Sequence, residues 1–424
     1  MMCRFALAVG VFGALGFGLG ACLESAPEPA PRYVFAEPRV VWQRSDGAVG
    51  DVFLVDAGAG ERFIAAATRG SDGRDQVQLL TRDGTAWSAP VPLVRPAGAE
   101  RERLGWVTQY PAPALFSVAS GAFGSGVFVR RWVNRSWQPP EPVTQLSGER
   151  VDALRAAVGG GGGEGGARLH VVYSDSRMTP AGCATGGLIL RHRVWSNGGW
   201  SAPRTVVAAC TVTQFAFAVQ PGALDPLMVT FVGAPAGGAA GGVDGAAALY
   251  GVPSATGLPA EFQQPYRIVG GTSRSTELVA AAGGRFVATW HYEGSAEMPQ
   301  RRAAIAAYDP SRQVWDRPNV SWFYSSVAPF PLALSGAGVL GFGGETDALF
   351  PRLAVWRWLS AGDPVVDRSR VAQSAGTPSS LRLIVQSDQR LGAVWVEALG
   401  SAGTQRVLYA ESAAVGAATR DAGL

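Results

Sequence analysis

An aromatic residue followed three positions later by proline recurs along this 424-residue chain, at Trp87/Pro90, Trp137/Pro140, Trp200/Pro203, Phe262/Pro265 and Trp315/Pro318. The intervals between successive copies run from 50 to 63 residues. Two fixed positions can recur by chance, but here the surroundings recur with them. Copies follow a strand-like run and a tight polar turn, as in Val77–Leu80 before Asp83-Gly84 and Leu188–Val194 before Asn197-Gly198. Asp-Gly and Asn-Gly favour two-residue hairpins because both central positions take positive φ. A further apolar run lies upstream of each hairpin. Seven such runs can be read: Phe63–Ala67, Leu115–Ala119, Leu169–Tyr173, Leu227–Val232, Phe286–Trp290, Val339–Phe342 and Leu391–Val396. Self-similarity at a fixed period marks an architecture of stacked units.

A four-stranded antiparallel unit at this period is a propeller blade. The expected fold is therefore all-β, a single β-propeller of seven four-stranded blades, with six as the alternative. Proline cannot donate to a ladder, which suits the outer edge of a blade. The tail after Ser412 lacks the motif, whereas Phe35-Ala36-Glu37-Pro38 carries it near the start. The N-terminal strand is thus expected to complete the last blade and close the ring, which removes open edges. The sixth unit is the weak one, because Gly362–Val366 has no aromatic residue.

Strands within a blade alternate in direction. Connections after the second and fourth strands therefore emerge on one face. The insertions Ser174–Gly187, Gly233–Ala246, Glu293–Arg302 and Glu397–Gln405 fall on that face, and so do Cys183 and Cys210. In an oxidising compartment this pair is expected to be bridged, with free thiols as the alternative. Loops carry function disproportionately, so ligand-binding candidates are sought here. Tyr173, Asp175 and Arg177 enter one insertion, and Trp290, His291, Tyr292 and Glu293 enter another. The second group could supply a sugar-stacking platform with a carboxylate. The plainer reading of both is a core aromatic ending a strand, and it weighs more.

The chain starts with one arginine, Arg4, ahead of an uncharged apolar run Phe5–Ala21. That pattern describes a secretory signal. Its end, Leu19-Gly20-Ala21-Cys22, resembles the bacterial lipobox, which implies cleavage before Cys22 and lipid attachment to it. The alternating prolines of Cys22–Arg32 read as a semi-rigid tether. Expected boundaries are 1–21 for the signal, 22–32 for the tether and 33–424 for the propeller. Leu23 after the cysteine is not the Asp of an inner-membrane retention signal, so the resemblance implies the cell envelope, at the outer membrane.

Charge excludes several classes. The net charge is +3 and every basic residue is Arg. A near-neutral balance leaves no footprint for nucleic acid, and the absence of Lys removes Schiff-base and phosphate-loop chemistry. Gly159–Gly163 therefore reads as a turn, not a phosphate cradle. His170, His192 and His291 lack metal-ligand spacing. No cofactor and no metal is expected.

Strands such as Leu169–Asp175, followed by an outer hairpin and Trp-Ser-Ala-Pro at Trp200–Pro203, resemble the blades of sialidase-like propellers. That family's Asp-box reads Ser-x-Asp-x-Gly-x-x-Trp, and Thr81–Trp87 is one residue short of it. The family's arginine triad, Tyr/Glu nucleophile pair and acid Asp cannot be assigned to positions here. The expectation is a membrane-anchored, non-catalytic propeller that binds a protein or polysaccharide of the envelope. The alternative is a sialidase-like glycoside hydrolase or lyase. No catalytic residue is nominated.

Overall fold

Each of the seven apolar runs forms a strand with antiparallel neighbours on both sides. Glu61–Arg69, for example, lies between Ala48–Gly58 and Asp75–Asp83. Leu391–Leu399 likewise lies between Thr377–Val385 and Thr404–Glu411. The computed structural model describes residues 33–413 apart from 70–72, 147–148, 161–166, 184–185, 223–224, 238–247, 255–261, 270–272, 282–283, 293–301, 317–318, 322–330, 336–337, 346–351, 359–366 and 401–402. Every strand pairing in these residues is antiparallel and no α-helix occurs among them. Cys22 and Glu293 lie outside the described residues, as do the signal and the tether.

The recurrent motif has a clear physical meaning. Among the described residues its proline does not sit within a paired strand. Ala86–Trp87 and Val91–Pro92 both pair with Asp75–Asp83, and Pro90 falls in the gap between them. The same break separates Ser136–Trp137 from Glu141–Pro142. The outer strand is interrupted where the ring nitrogen cannot donate.

The aromatic residue reaches back to the preceding repeat. Trp137 lies 5.3 Å from Phe63 and Trp200 lies 6.3 Å from Phe116. Phe262 lies 5.7 Å from His192, and Trp315 donates its indole N–H to the Tyr266 hydroxyl. The remaining contact closes the ring, with Trp87 5.3 Å from Tyr409 in the last sheet. Edge-to-face pairs of this kind add to the area they bury.

Arg39–Arg44 pairs with Thr404–Glu411, so a strand from the start of the chain completes the last sheet. The hydrophobic core lies between consecutive sheets. At the junction of first and last, Val52, Leu54 and Ile64 pack on Val394, Val396 and Val407. The described residues form one compact unit.

The arrangement is an all-β propeller, but its hydrogen bonds define six sheets among the described residues and not seven separate ones. Strand Arg204–Val219 explains the difference. Its first part pairs with Leu188–Ser196 and the rest with Leu227–Pro235, which merges eight strands into one sheet. Register shifts at Ala209/Thr211 and Val212/Gln214 bend it. One strand thus serves two neighbouring repeats, and Cys210 lies in its bend, not in a loop. Residues 362–366 of the weak sixth repeat lie outside the described residues, and the next strand, Asp367–Gln373, pairs with Arg352–Trp358.

The first strand of every repeat borders a central channel of about 750 Å³. First-to-second-strand turns, such as Ala59-Gly60, share one face with the Asp83-Gly84 and Asn197-Gly198 hairpins. This is the hairpin face. The opposite, linker face carries the connections after the second and fourth strands.

Candidate functional site

On the linker face, strand Arg168–Asp175 ends in a buried carboxylate. Asp175 Oδ2 is 3.0 Å from both Arg177 and Arg191. Burial pushes the Asp175 carboxyl up, yet hydrogen bonds from Arg177 and Arg191 hold it below the usual carboxylate range. Tyr173 is fully buried, and its hydroxyl donates to Glu149 Oε1 at 3.0 Å. Burial and the Glu149 charge raise the phenol, so Tyr173 stays neutral. A Tyr/Glu pair is thus present, but its phenol is sealed from any ligand and is not ionised.

Arg177 is different, because its side chain is 44% exposed and borders a groove of about 570 Å³. Arg101, Arg103 and Arg150 line the same groove, together with Asp75, Glu149 and Asp152. Phe123, in the tight turn between Ala114–Gly121 and Gly124–Val133, stands at its edge with 88% of its surface exposed. Asp152 accepts from Ser176 at 3.0 Å, and Arg103 donates to the Asp152 carbonyl. Arg101 and Arg150 have no ion-pair partner among the described residues. The groove therefore offers planar donors and acceptors, free guanidinium groups and one apolar ring.

Reasoning from sequence picked out Arg177 and missed the other groove residues. Insertions after second strands drew attention, whereas Glu149–Asp152 belongs to a fourth-to-first-strand connection. The parity of the strands places that connection on the same face, which was the available signal. Arg101 and Arg103 alternate along a first strand, and Phe123 is an aromatic between Gly121 and Gly124, where a tight turn gives it nothing to pack on.

Two members of the second candidate group are buried, while the side chain of Tyr292, like Glu293, lies outside the described residues. Trp290 is buried at 2% exposure among Val232, Leu249, Ala304 and Ala306. His291 is buried too, with Nδ1 2.8 Å from Ser275 Oγ. Tyr292 ends the strand Phe286–Tyr292. Alternation along that strand puts the indole between sheets, where its area is best buried.

Cys183 and Cys210 are joined by a disulfide. It ties the connection after Arg168–Asp175 to the bend of Arg204–Val219, on the linker face.

A second polar cluster tightens the eight-stranded sheet. His170 Nε2 lies 3.1 Å from Asp225 Oδ2, and His170 Nδ1 lies 3.1 Å from His192 Nε2. The carboxylate accepts a hydrogen bond from His170 Nε2–H, so His170 Nδ1 accepts from His192 Nε2–H. His192 Nδ1 is then a bare acceptor, and it has no hydrogen-bond partner. Its ring packs against Phe217 and Phe262. Burial, with the neighbouring His170, holds the His192 pKa well below the ordinary value. The set resembles an acid–base relay in composition, but all three side chains are sealed from solvent, so it holds strands together and does not meet a substrate.

No family model and no curated protein sequence matches this chain. Solved structures do. A protein of unknown function from Dyadobacter fermentans aligns with a TM-score of 0.50 at 13% identity, covering 90% of this chain and 99% of that one. A polysaccharide lyase of family PL25, an ulvan lyase bound to -[GlcA(1-4)Rha3S]-, aligns with a TM-score of 0.56 at 11% identity over 87% of this chain and 95% of its own. The intramolecular trans-sialidase from Ruminococcus gnavus aligns with a TM-score of 0.46 at 9% identity, covering 88% and 95%. At these identities the likeness is one of fold.

Proposed function

We propose that the protein binds an acidic polysaccharide in the groove beside Arg177 and does not cleave it. The observation that carries this reading is the pairing of exposed Phe123 with the unpaired guanidinium groups of Arg101 and Arg150. A sugar ring stacks on an exposed aromatic face, its hydroxyls meet planar polar side chains, and carboxylate or sulfate groups meet arginine in bidentate fashion. The groove also has the size of a ligand site. The ulvan lyase, whose bound ligand carries a uronate and a sulfate, is similar in fold and lends the glycan reading support.

Cleavage is the second reading, and Glu277 favours it. Burial raises the Glu277 carboxyl although Arg155 and Arg382 pull it the other way, which suits an acid. Glu277 borders the central channel, however, and not the groove.

The eight-stranded sheet is best counted as two blades sharing a bent strand, which makes the ring seven-bladed. A lipid tether through Cys22 would place the protein in the cell envelope. The described chain enters at Tyr33, beside Ser412 and Ala413 on the hairpin face.

The test is binding of the purified protein to a panel of neutral, uronate-bearing and sulfated glycans, with product analysis of every hit. Binding of acidic members without new products supports the proposal. New products would replace it with the cleaving reading, and an absence of any hit would point to a protein ligand.

A further inference from the structure

The central channel has two unlike ends. Toward the linker face it is roofed by stacked cations and rings. The Arg382 guanidinium lies 4.4 Å from the Phe53 ring centre and 5.7 Å from that of Trp106. The Arg155 guanidinium lies 4.5 Å from Trp106 and 5.7 Å from Phe215. Such contacts strengthen when desolvated. Glu277 belongs to the same level and is only 7% exposed, and its carboxyl makes no side-chain hydrogen bond among the described residues. Nε of Arg382 is likewise buried without a partner. Below this roof the wall is apolar, with Ala157, Val219, Val279 and Leu334 among its residues. The channel runs down to the turns of the hairpin face, where Tyr110 is exposed.

We propose that this channel binds an amphipathic carboxylate, its head beneath Arg382 and Glu277 and its apolar body along the walls. Nothing in this depends on the groove of the linker face. Arg382, which also pairs with the half-exposed Asp51 at 3.4 Å, supplies a nearby positive charge and one unused donor, its Nε. Burial raises the Glu277 carboxyl and so favours its neutral form, which can donate a hydrogen bond to the ligand's carboxylate instead of repelling it. The stretch from Arg382 to Val385 is three residues of strand, roughly 10 Å. A medium-chain carboxylate spans that depth, and the volume lies within the range of small-molecule sites.

Decanoate is the probe, titrated calorimetrically into the whole protein, with acetate as a head-only control and decyltrimethylammonium as an opposite-charge control. The expected result is saturable binding of decanoate alone. Arg382→Gln should weaken it at least tenfold, and Ala157→Phe should abolish it by filling the channel. Should either interior variant fail to fold, Leu334→Glu at the half-exposed mouth should still weaken decanoate severalfold by repulsion. No binding to the folded protein, equal binding of the cationic amphiphile, or affinity unchanged in Leu334→Glu together with one folded interior variant would overturn the proposal.

Discussion

Trp87 and Tyr409 stand edge to face, 5.3 Å between ring centres, and join the first repeat to the last. The ring of sheets is closed at this junction by the same contact that links its other neighbours, reinforced by the Arg82–Glu411 ion pair at 2.9 Å. Trp87→Ala should cost about 2–3 kcal/mol, less than a fully buried tryptophan because its ring is partly exposed. Trp137→Ala, which loses Phe63 and Trp132 together, should cost at least as much. Urea unfolding followed by circular dichroism would measure both, and losses under 0.5 kcal/mol, on the order of an exposed surface change, would deny the motif its structural role.

The disulfide closes a loop with a sequence separation of 27. In the chain-entropy model its reduction should cost about 3–4 kcal/mol. The double variant Cys183→Ser/Cys210→Ser should show the same loss of thermal stability as reductant does on the native protein, and reductant should have no further effect on the variant.

Stability should fall in mild acid because of the histidine cluster. The folded pKa of both His170 and His192 is depressed below 6.5, first by burial. The folded state therefore binds fewer protons than the unfolded chain. Stability is complete above the ordinary histidine range and is lost as pH drops below about 6.5, by up to about 1.4 kcal/mol per pH unit for each histidine. Asp225, depressed by its hydrogen bonds, adds a loss only at lower pH, below the ordinary Asp range. His192→Gln should flatten the dependence between pH 7 and 5 as read from urea midpoints, and a slope identical to the native one would place its origin elsewhere.

Much of the fold is legible in the sequence because it rests on local signals. The seven apolar runs, the hairpin turns and the strand Arg39–Arg44 that completes the last sheet can each be placed from pattern alone. The merged sheet cannot, since nothing in Arg204–Val219 signals that one strand turns a corner by two bulges instead of ending. The role of the aromatic residue is also hidden, because its partner lies a repeat away in sequence. At the candidate site, Asp175 and Trp290 are polar or amphipathic residues at strand ends, and composition there does not distinguish burial from exposure. Arg101, Arg150 and Phe123 come from three separate segments, and only folding brings them together.

The central claim is tested most directly by titrating an acidic glycan identified in the panel into the native protein and into the variant Phe123→Ala/Arg150→Ala. These side chains are exposed, so the variant should fold with unchanged stability. Native binding that weakens at least tenfold in the variant, and weakens further as salt is raised, is the predicted result. Equal affinity in the two proteins would contradict the account and move the binding site off this groove.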